Sequence, residues 1–258
     1  MILIKLGGSI ITDKTQYRVF NGNVVRRLCK EIKDSGEEVM VVHGAGSFGH
    51  IVAKEYSLQN GFSDKKQIQA VAKVQSDVRE LNLLIINELL NAGIPAVSMP
   101  PGSCFIMDKG KLRIEYPDVL QSATKLGLMP VMFGDVVLDR SKGFGICGGD
   151  QIMEVLCRFY DPKKVVFVSD IDGLYDKDPK KYQDAILLKE VTSEMLKKVS
   201  AESTVDDVTG GVKEKIESML RMTTPKRECI LINGSVDGRL YSVLKGERVI
   251  STTAKGGL

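Results

Sequence analysis

Short apolar runs rich in β-branched residues recur along the chain, at Ile2 to Leu6, Val39 to Val42, Ala96 to Met99, Met129 to Phe133 and Val165 to Val168. Each is too short for a core helix and most are followed closely by Gly or Asp, so they read as strands buried on both faces. Between them lie amphipathic stretches with the helical period, at Asn23 to Asp34, Lys66 to Ala92, Asp118 to Leu126 and Gln151 to Phe159. Strand and helix in alternation predict an α/β fold whose mainly parallel sheet is covered on both sides. Ligands of such sheets bind beyond the carboxyl ends of the strands. The unusual residues fall there: Gly7-Gly8-Ser9, His43 to His50, Gly134-Asp135 and Asp170 to Tyr175 each follow a strand. Arg113 to Tyr116 with Gly143 to Cys147 reads as a hairpin flanking this end.

Composition narrows the partners. Lys plus Arg exceed Asp plus Glu by only 36 to 33, too balanced for a nucleic-acid surface, so the expected partner is a small anion. A hydrophobic fraction of 43% in 258 residues allows one large core without a linker or repeat, hence a single domain over 1–258. Cys29, Cys104, Cys147, Cys157 and Cys229 are scattered, without the close pairs of a zinc or redox motif, and fit a reduced compartment. Met1 leads straight into an apolar run with no basic leader, and no stretch is long enough to span a bilayer, so a cytoplasmic protein with no membrane partner is expected.

Several constellations suit phosphate. In Lys5-Leu6-Gly7-Gly8-Ser9 a strand exits through two glycines, whose amides can approach an anion without a Cβ in the way, beside a fixed positive charge; a tight turn with a half-buried lysine reads equally well. His43-Gly44-Ala45-Gly46-Ser47-Phe48-Gly49-His50 lacks the Rossmann spacing but offers a glycine-rich nest opening a helix. It holds both histidines of the chain. His43, directly after a buried strand, reads as a core residue, whereas His50 stands where a side-chain donor reaches a bound phosphate. Gly148-Gly149-Asp150 starts a helix, with Asp150 suited to cap it and to orient cations. Asp170-Ile171-Asp172-Gly173 reads more as a turn than as a metal site. Asp206 to Gly211 precedes a helix carrying Lys213 and Lys215. The Walker, protein-kinase and nucleophile-elbow signatures are missing. Scattered lysines, glycine nests and few bases suit phosphoryl transfer, which depends on positioning and charge stabilisation.

Taken in order, Lys5 to Ser9, the loop 43–50, Gly134-Asp135, Gly149-Asp150, Ser169 to Tyr175 and Thr209-Gly210-Gly211 resemble the amino acid kinase family over nearly the whole chain. The loop ending in His50, with Thr12-Asp13-Lys14 upstream and Pro130 to Val137 downstream, resembles the archaeal isopentenyl phosphate kinase branch of that family. This resemblance implies a three-layer αβα sandwich, commonly a homodimer. A phosphate-acceptor half over about 1–162 and a nucleotide half over about 163–258 would share one sheet. It implies ATP and isopentenyl phosphate as substrates, with Mg²⁺ held mainly through phosphate oxygens and no protein metal ligands. Lys5, Lys14 and Lys215 would surround the transferring group, Asp150 would hold the lysines, and His50 would donate to the acceptor phosphate. Amides near Gly46, Ser47, Gly49 and Gly149 would support that phosphate. Gly7, Gly8, Ser9 and Gly210 would line the nucleotide phosphates, and Asp170, Asp172, Gly173, Tyr175, Lys177 and Pro179 the adenosine. Val71, Val74 and Val78 are expected to divide between an apolar slot for the substrate tail and plain core. Alternatives are a relative acting on UMP, a carboxylate, carbamate or a phosphonate, and a nucleotide sensor without catalysis; the retention of Lys5, Asp150 and Lys215 together argues against the sensor.

Overall fold

The computed structural model describes residues 1–177, 182–195 and 209–256, the last segment with side chains from 214 onward. The chain opens with β1 (Ile2–Leu6), a short α1 (Gly8–Ile11), α2 (Gly22–Ser35), β2 (Val39–His43), α3 (Gly46–Glu55) and the long α4 (Lys66–Asn91). There follow β3 (Ala96–Ser98), α5 (Pro101–Cys104), β4 (Phe105–Asp108), β5 (Lys111–Ile114), α6 (Pro117–Lys125), β6 (Met129–Phe133), β7 (Asp135–Asp139) and β8 (Gly143–Cys147). The remainder comprises α7 (Gly149–Tyr160), β9 (Lys164–Ser169), β10 (Leu174–Tyr175), β11 (Leu187–Leu188), β12 (Glu190–Val191), α8 (Thr209–Met222), β13 (Glu228–Asn233), α9 (Arg239–Leu244) and β14 (Thr252–Ala254).

The main sheet has the order β12-β14-β13-β9-β1-β2-β6-β3. From β13 to β3 every pairing is parallel; β14 runs antiparallel to β13 and carries β12 beside it. Alternation along β1 separates two cores. Ile2, Ile4 and Leu6 face α2, α4 and α9, where Leu28, Ile85 and Leu240 are fully buried. Leu3 faces the opposite layer, with Ile152 of α7 and Ile216 of α8. This is the expected three-layer αβα sandwich. Lys5 is the next residue on the Leu3 face, which commits its side chain to the α7 and α8 layer before any ligand is considered.

The expected hairpin between Arg113 to Tyr116 and Gly143 to Cys147 does not form. A separate four-stranded sheet has the order β5-β4-β7-β8, so the two segments lie at its opposite edges. Each strand instead pairs with its sequence neighbour, β4 with β5 and β7 with β8. Asp139 explains the preference: its carboxylate accepts the amides of Ser141 at 2.7 Å and Lys142 at 3.1 Å, closing the β7–β8 turn. Its other oxygen accepts the Gly110 amide at 2.8 Å, closing the β4–β5 turn. One turn-forming carboxylate thus fixes two local hairpins.

At the carboxyl end of β1 and β2 the two backbones nearly touch. A Cβ on Gly44 would lie 2.6 Å from the Gly8 nitrogen, and one on Gly8 would lie 2.8 Å from the Gly46 Cα. No side chain can yield there, because both sides are backbone. Gly44→Ala is therefore expected to lower the unfolding free energy by about 1–3 kcal/mol in chemical denaturation; an unchanged midpoint would show that the strand exits part without cost.

Candidate functional site

Beyond the ends of β1, β2 and β9 lies a cavity of about 430 Å³. Gly7, Gly8 and Ser9 form one wall, Gly46, Ser47 and His50 face them, and Lys5, Lys14 and Lys215 make the lining cationic. A second cavity of about 280 Å³ adjoins it and shares Lys5, Gly8 and His50. Ala53, Val74 and Ile146 give it apolar lining, with Gly49 packed next to Val74, while Gly149 and Asp150 lie beside the shared lysine.

The centre of the site is an acid between two bases. Lys5 Nζ and Lys215 Nζ both donate to Asp150, Lys5 to Oδ1 and Lys215 to Oδ2, the latter at 3.2 Å. Register places Lys5 opposite Phe167 of β9, and the Lys215 ammonium lies 4.2 Å from that ring's centroid. An aromatic face beside two like charges supplies the attraction that their mutual repulsion lacks. Burial alone would raise the Asp150 carboxyl, but the charges of Lys5 and Lys215 outweigh it and hold the group below the usual carboxylate range. Burial and then the like charge of Lys5 push the Lys215 ammonium down to about 8, against the pull of Asp150. Asp150 is not the helix cap expected for it. Gly148 holds that position, with its amide donating to Gln151 Oε1 at 3.3 Å, and Asp150 lies in the first turn of α7, where the helix dipole also favours its charge. Gly149 packs tightly on the lysine stem, since a Cβ there would lie 3.0 Å from Lys5 Cε.

Lys14 stands at the cavity mouth on the loop after α1, exposed, with Asp170 Oδ2 3.5 Å from its Nζ. Ser9 Oγ donates to the other Asp170 oxygen at 2.6 Å. Burial would raise the Asp170 carboxyl, but the Ser9 hydroxyl and the Lys14 charge lower it further. The Ser47 amide is not open to a ligand as expected: it donates to Thr12 Oγ1 at 3.0 Å. The Ser47 hydroxyl, buried in the cavity wall, has no partner among the described residues.

The histidines divide as their positions suggest. His43 is fully buried and stacks on Phe133 with ring centroids 5.2 Å apart. Its Nδ1 lies 2.9 Å from the Gly44 carbonyl and its Nε2 3.1 Å from Asn82 Nδ2, which fits the neutral tautomer with the proton on Nδ1. Burial pushes its pKa down to about 4, against the hydrogen bond to Gly44. His50 lies at the rim shared by both cavities, partly open to solvent. Its pKa is lowered by burial of the ring and then by the charges of Lys5 and Lys14.

Of the described residues expected around an adenosine, Asp170 is held at the cavity mouth by Ser9 and Lys14, whereas Asp172, Gly173, Tyr175 and Lys177 line neither cavity. Asp172 accepts from Arg239 Nη1 and, at 3.3 Å, from Asn233 Nδ2, which ties the turn to α9 and β13. Gly173 packs against Thr252 and Leu187, Tyr175 lies in the β10–β11 pair, and Lys177 bonds Asp184 at 2.5 Å. Gly210 begins α8, and Pro179 lies outside the described residues. Of the valines considered for a tail slot, Val74 lines the second cavity, whereas Val78 is fully buried core. Sequence reasoning missed Phe167 and Thr12 as parts of the site. Pairing of Phe167 with Lys5 across neighbouring parallel strands was the available signal.

A mainly parallel sandwich with lysines from β1 and α8 converging on one carboxylate at its carboxyl edge is the architecture of a small-molecule kinase, and residues 1–233 match the model of the amino acid kinase family, to which the chain belongs. Within it the chain groups with the isopentenyl phosphate kinases. It is 33% identical to the isopentenyl phosphate kinase of Thermoplasma acidophilum, covering 99% of this chain and 100% of that one. With that of Methanothermobacter thermautotrophicus it shares 35% over 99% of each. A solved isopentenyl phosphate kinase structure superposes with a TM-score of 0.85 at 32% identity, over 99% of this chain and all of the other.

The buried neutral His43 makes stability depend on pH. In the unfolded chain its ring takes up a proton below about pH 6.5, whereas in the fold it does so only near about pH 4. Between these values the unfolded state binds the extra proton, so this contribution falls as pH falls, by about 3 kcal/mol across the window. Denaturant unfolding of wild type and His43→Gln over this range should differ by about one proton in pH slope; parallel slopes would refute a buried neutral ring.

Proposed function

We propose that the protein transfers the γ-phosphoryl group of ATP to isopentenyl phosphate, giving isopentenyl diphosphate and ADP. The observation that carries this reading is the pair of cavities meeting at Lys5, Gly8 and His50, one lined by cations and glycine amides, the other ending in apolar side chains. A donor polyphosphate fits the first, and a phosphate with a short hydrocarbon tail fits the second. MgATP enters as the substrate, its Mg²⁺ held mainly by phosphate oxygens; both oxygens of Asp150 are already engaged by lysines. In the cell the enzyme would work in the cytoplasm as a homodimer, with residues 1–162 serving the acceptor and 163–258 the nucleotide.

A terminal oxygen of the acceptor phosphate attacks the γ-phosphorus. A new P–O bond forms while the bond from that phosphorus to the bridging oxygen breaks, and ADP leaves with the electron pair. The nucleophile is already anionic, so no strong base is required; the barrier to overcome is repulsion between two anions. Lys5, Lys14 and Lys215 offset that repulsion, and Asp150 keeps two of them from diverging. His50 donates from the rim to the acceptor phosphate, whose charge favours the cationic ring that burial and the lysines disfavour in the free protein. The Ser47 hydroxyl supplies a further donor in place of its amide. Ser9, Asp170 and the glycines at 7, 8 and 210 serve the donor side, while Gly46, Gly49 and Gly149 let the acceptor approach closely. Asp172, Gly173, Tyr175, Lys177 and Pro179 remain candidates for the adenosine only once a nucleotide is bound.

The testing experiment is ADP release with MgATP and a panel of isopentenyl phosphate, dimethylallyl phosphate, UMP, acetylglutamate, glutamate and fosfomycin. Turnover selective for isopentenyl phosphate is expected, with kcat/KM reduced roughly 100-fold in His50→Ala. Turnover confined to another acceptor would overturn the substrate. The depressed Lys215 ammonium adds a pH signature: as pH rises through about 8 the free enzyme loses this charge, so kcat/KM for ATP should decline there. Lys215→Arg, which keeps its charge, should lack that limb; a limb identical in both proteins would assign it to another group.

A further inference from the structure

Two walls of the larger cavity, Gly7 to Ser9 on the donor side and Gly46 and Ser47 on the acceptor side, follow different strands, and their segments meet backbone to backbone at Gly8, Gly44 and Gly46. Among the described residues, Thr12 is the side chain that hydrogen-bonds to both. Its Oγ1 donates to the Gly8 carbonyl at 2.7 Å and accepts the Ser47 amide at 3.0 Å. Thr12 is buried, and the hydroxyl has one proton, so these bonds fix its rotor in a single arrangement. Gly46 adopts a left-handed φ of 52° directly against it, and a Cβ there would lie 2.3 Å from Thr12 Oγ1. The hydroxyl, the glycine and the two loops therefore form one packed unit.

We infer that Thr12 is a positioning residue which sets the spacing between donor and acceptor phosphates. It lines neither of the two cavities. Its hydroxyl ties the loop that cradles one anion to the loop that cradles the other, and in-line transfer falls steeply when two reacting groups drift apart. This rests on the phosphoryl-transfer reading above. The role belongs to the hydroxyl, not to the volume of the side chain, so the isosteric loss of that group separates it from packing.

The test compares wild type, Thr12→Val and Thr12→Ser at a temperature where thermal unfolding shows all three folded. Steady-state kinetics are run with MgATP and isopentenyl phosphate, and amide exchange of the 44–49 segment is followed by mass spectrometry. Thr12→Val should lower kcat by about tenfold to a hundredfold while each KM moves less than about threefold, and Thr12→Ser should restore most of the rate. Exchange of the segment should speed up in the Val variant and not in the Ser variant. A Val variant with wild-type kcat would overturn the inference, as would a Ser variant as impaired as Val, or a loss confined to KM. Wild type inactive with this acceptor would reject the underlying reaction instead, and the exchange comparison would then decide the hydroxyl tie by itself, with unchanged exchange in Thr12→Val refuting it.

Discussion

A single carboxylate holds the site together. Two ammonium groups within reach of each other in a half-buried setting repel strongly, and such a pair survives only where a counter-charge and an attractive surface offset the cost of desolvation. Asp150 is the counter-charge and the Phe167 ring is the surface. The arrangement leaves one carboxylate for two ammonium groups, and that residual positive charge is what an incoming polyphosphate would neutralise. The sheet, the helix start and the close glycine contacts can all be understood as ways of bringing these groups to one place. Lys5 arrives by strand alternation, Phe167 by parallel register and Lys215 on a helix of the same layer. The depressed Lys215 ammonium follows from that crowding.

Much of the sandwich was legible in the sequence because buried parallel strands and amphipathic helices have distinct periods. The runs Ile2 to Leu6 and Met129 to Phe133 match β1 and β6 to the residue, and Lys66 to Ala92 differs from α4 by one. The second sheet was misread because its strands are only four or five residues long, so their partners depend on turn chemistry at Asp139 that a hydrophobic pattern does not carry. In the site, glycines directly after β1 and β2 stand out in the sequence, and Lys5, Lys14 and Lys215 come together around one cavity. His43 could be separated from His50 by its place directly behind a buried run. What could not be read is which hydrogen-bonding group is already spent. The amide of Ser47 is taken by Thr12 and the carboxylate of Asp172 by Arg239, and both facts depend on residues distant in the chain.

The two cavities differ in character along one axis. Around Lys5, Lys14 and Lys215 the lining carries ammonium groups and glycine amides among apolar side chains; around Ala53, Val74 and Ile146 it is hydrocarbon. A ligand that is charged at one end and greasy at the other has one favourable orientation in such a gradient. His50 at the junction marks where the change occurs. Such a gradient would give direction to binding without a dedicated recognition element for a hydrocarbon tail, since burying alkyl groups is favourable but not directional.

The central place of β1 has a consequence for how the molecule is made. The strand that carries Lys5 is synthesised shortly before β2 and can pair with it early, yet its other neighbour, β9, and the helix bearing Lys215 are synthesised much later. Contacts between such distant segments are slow to close. Lys5 therefore spends much of synthesis beside an unfinished sheet edge, with neither Asp150 nor Phe167 in place. The lysine–aspartate cluster is completed only when the carboxy-terminal half docks, so it closes together with the fold.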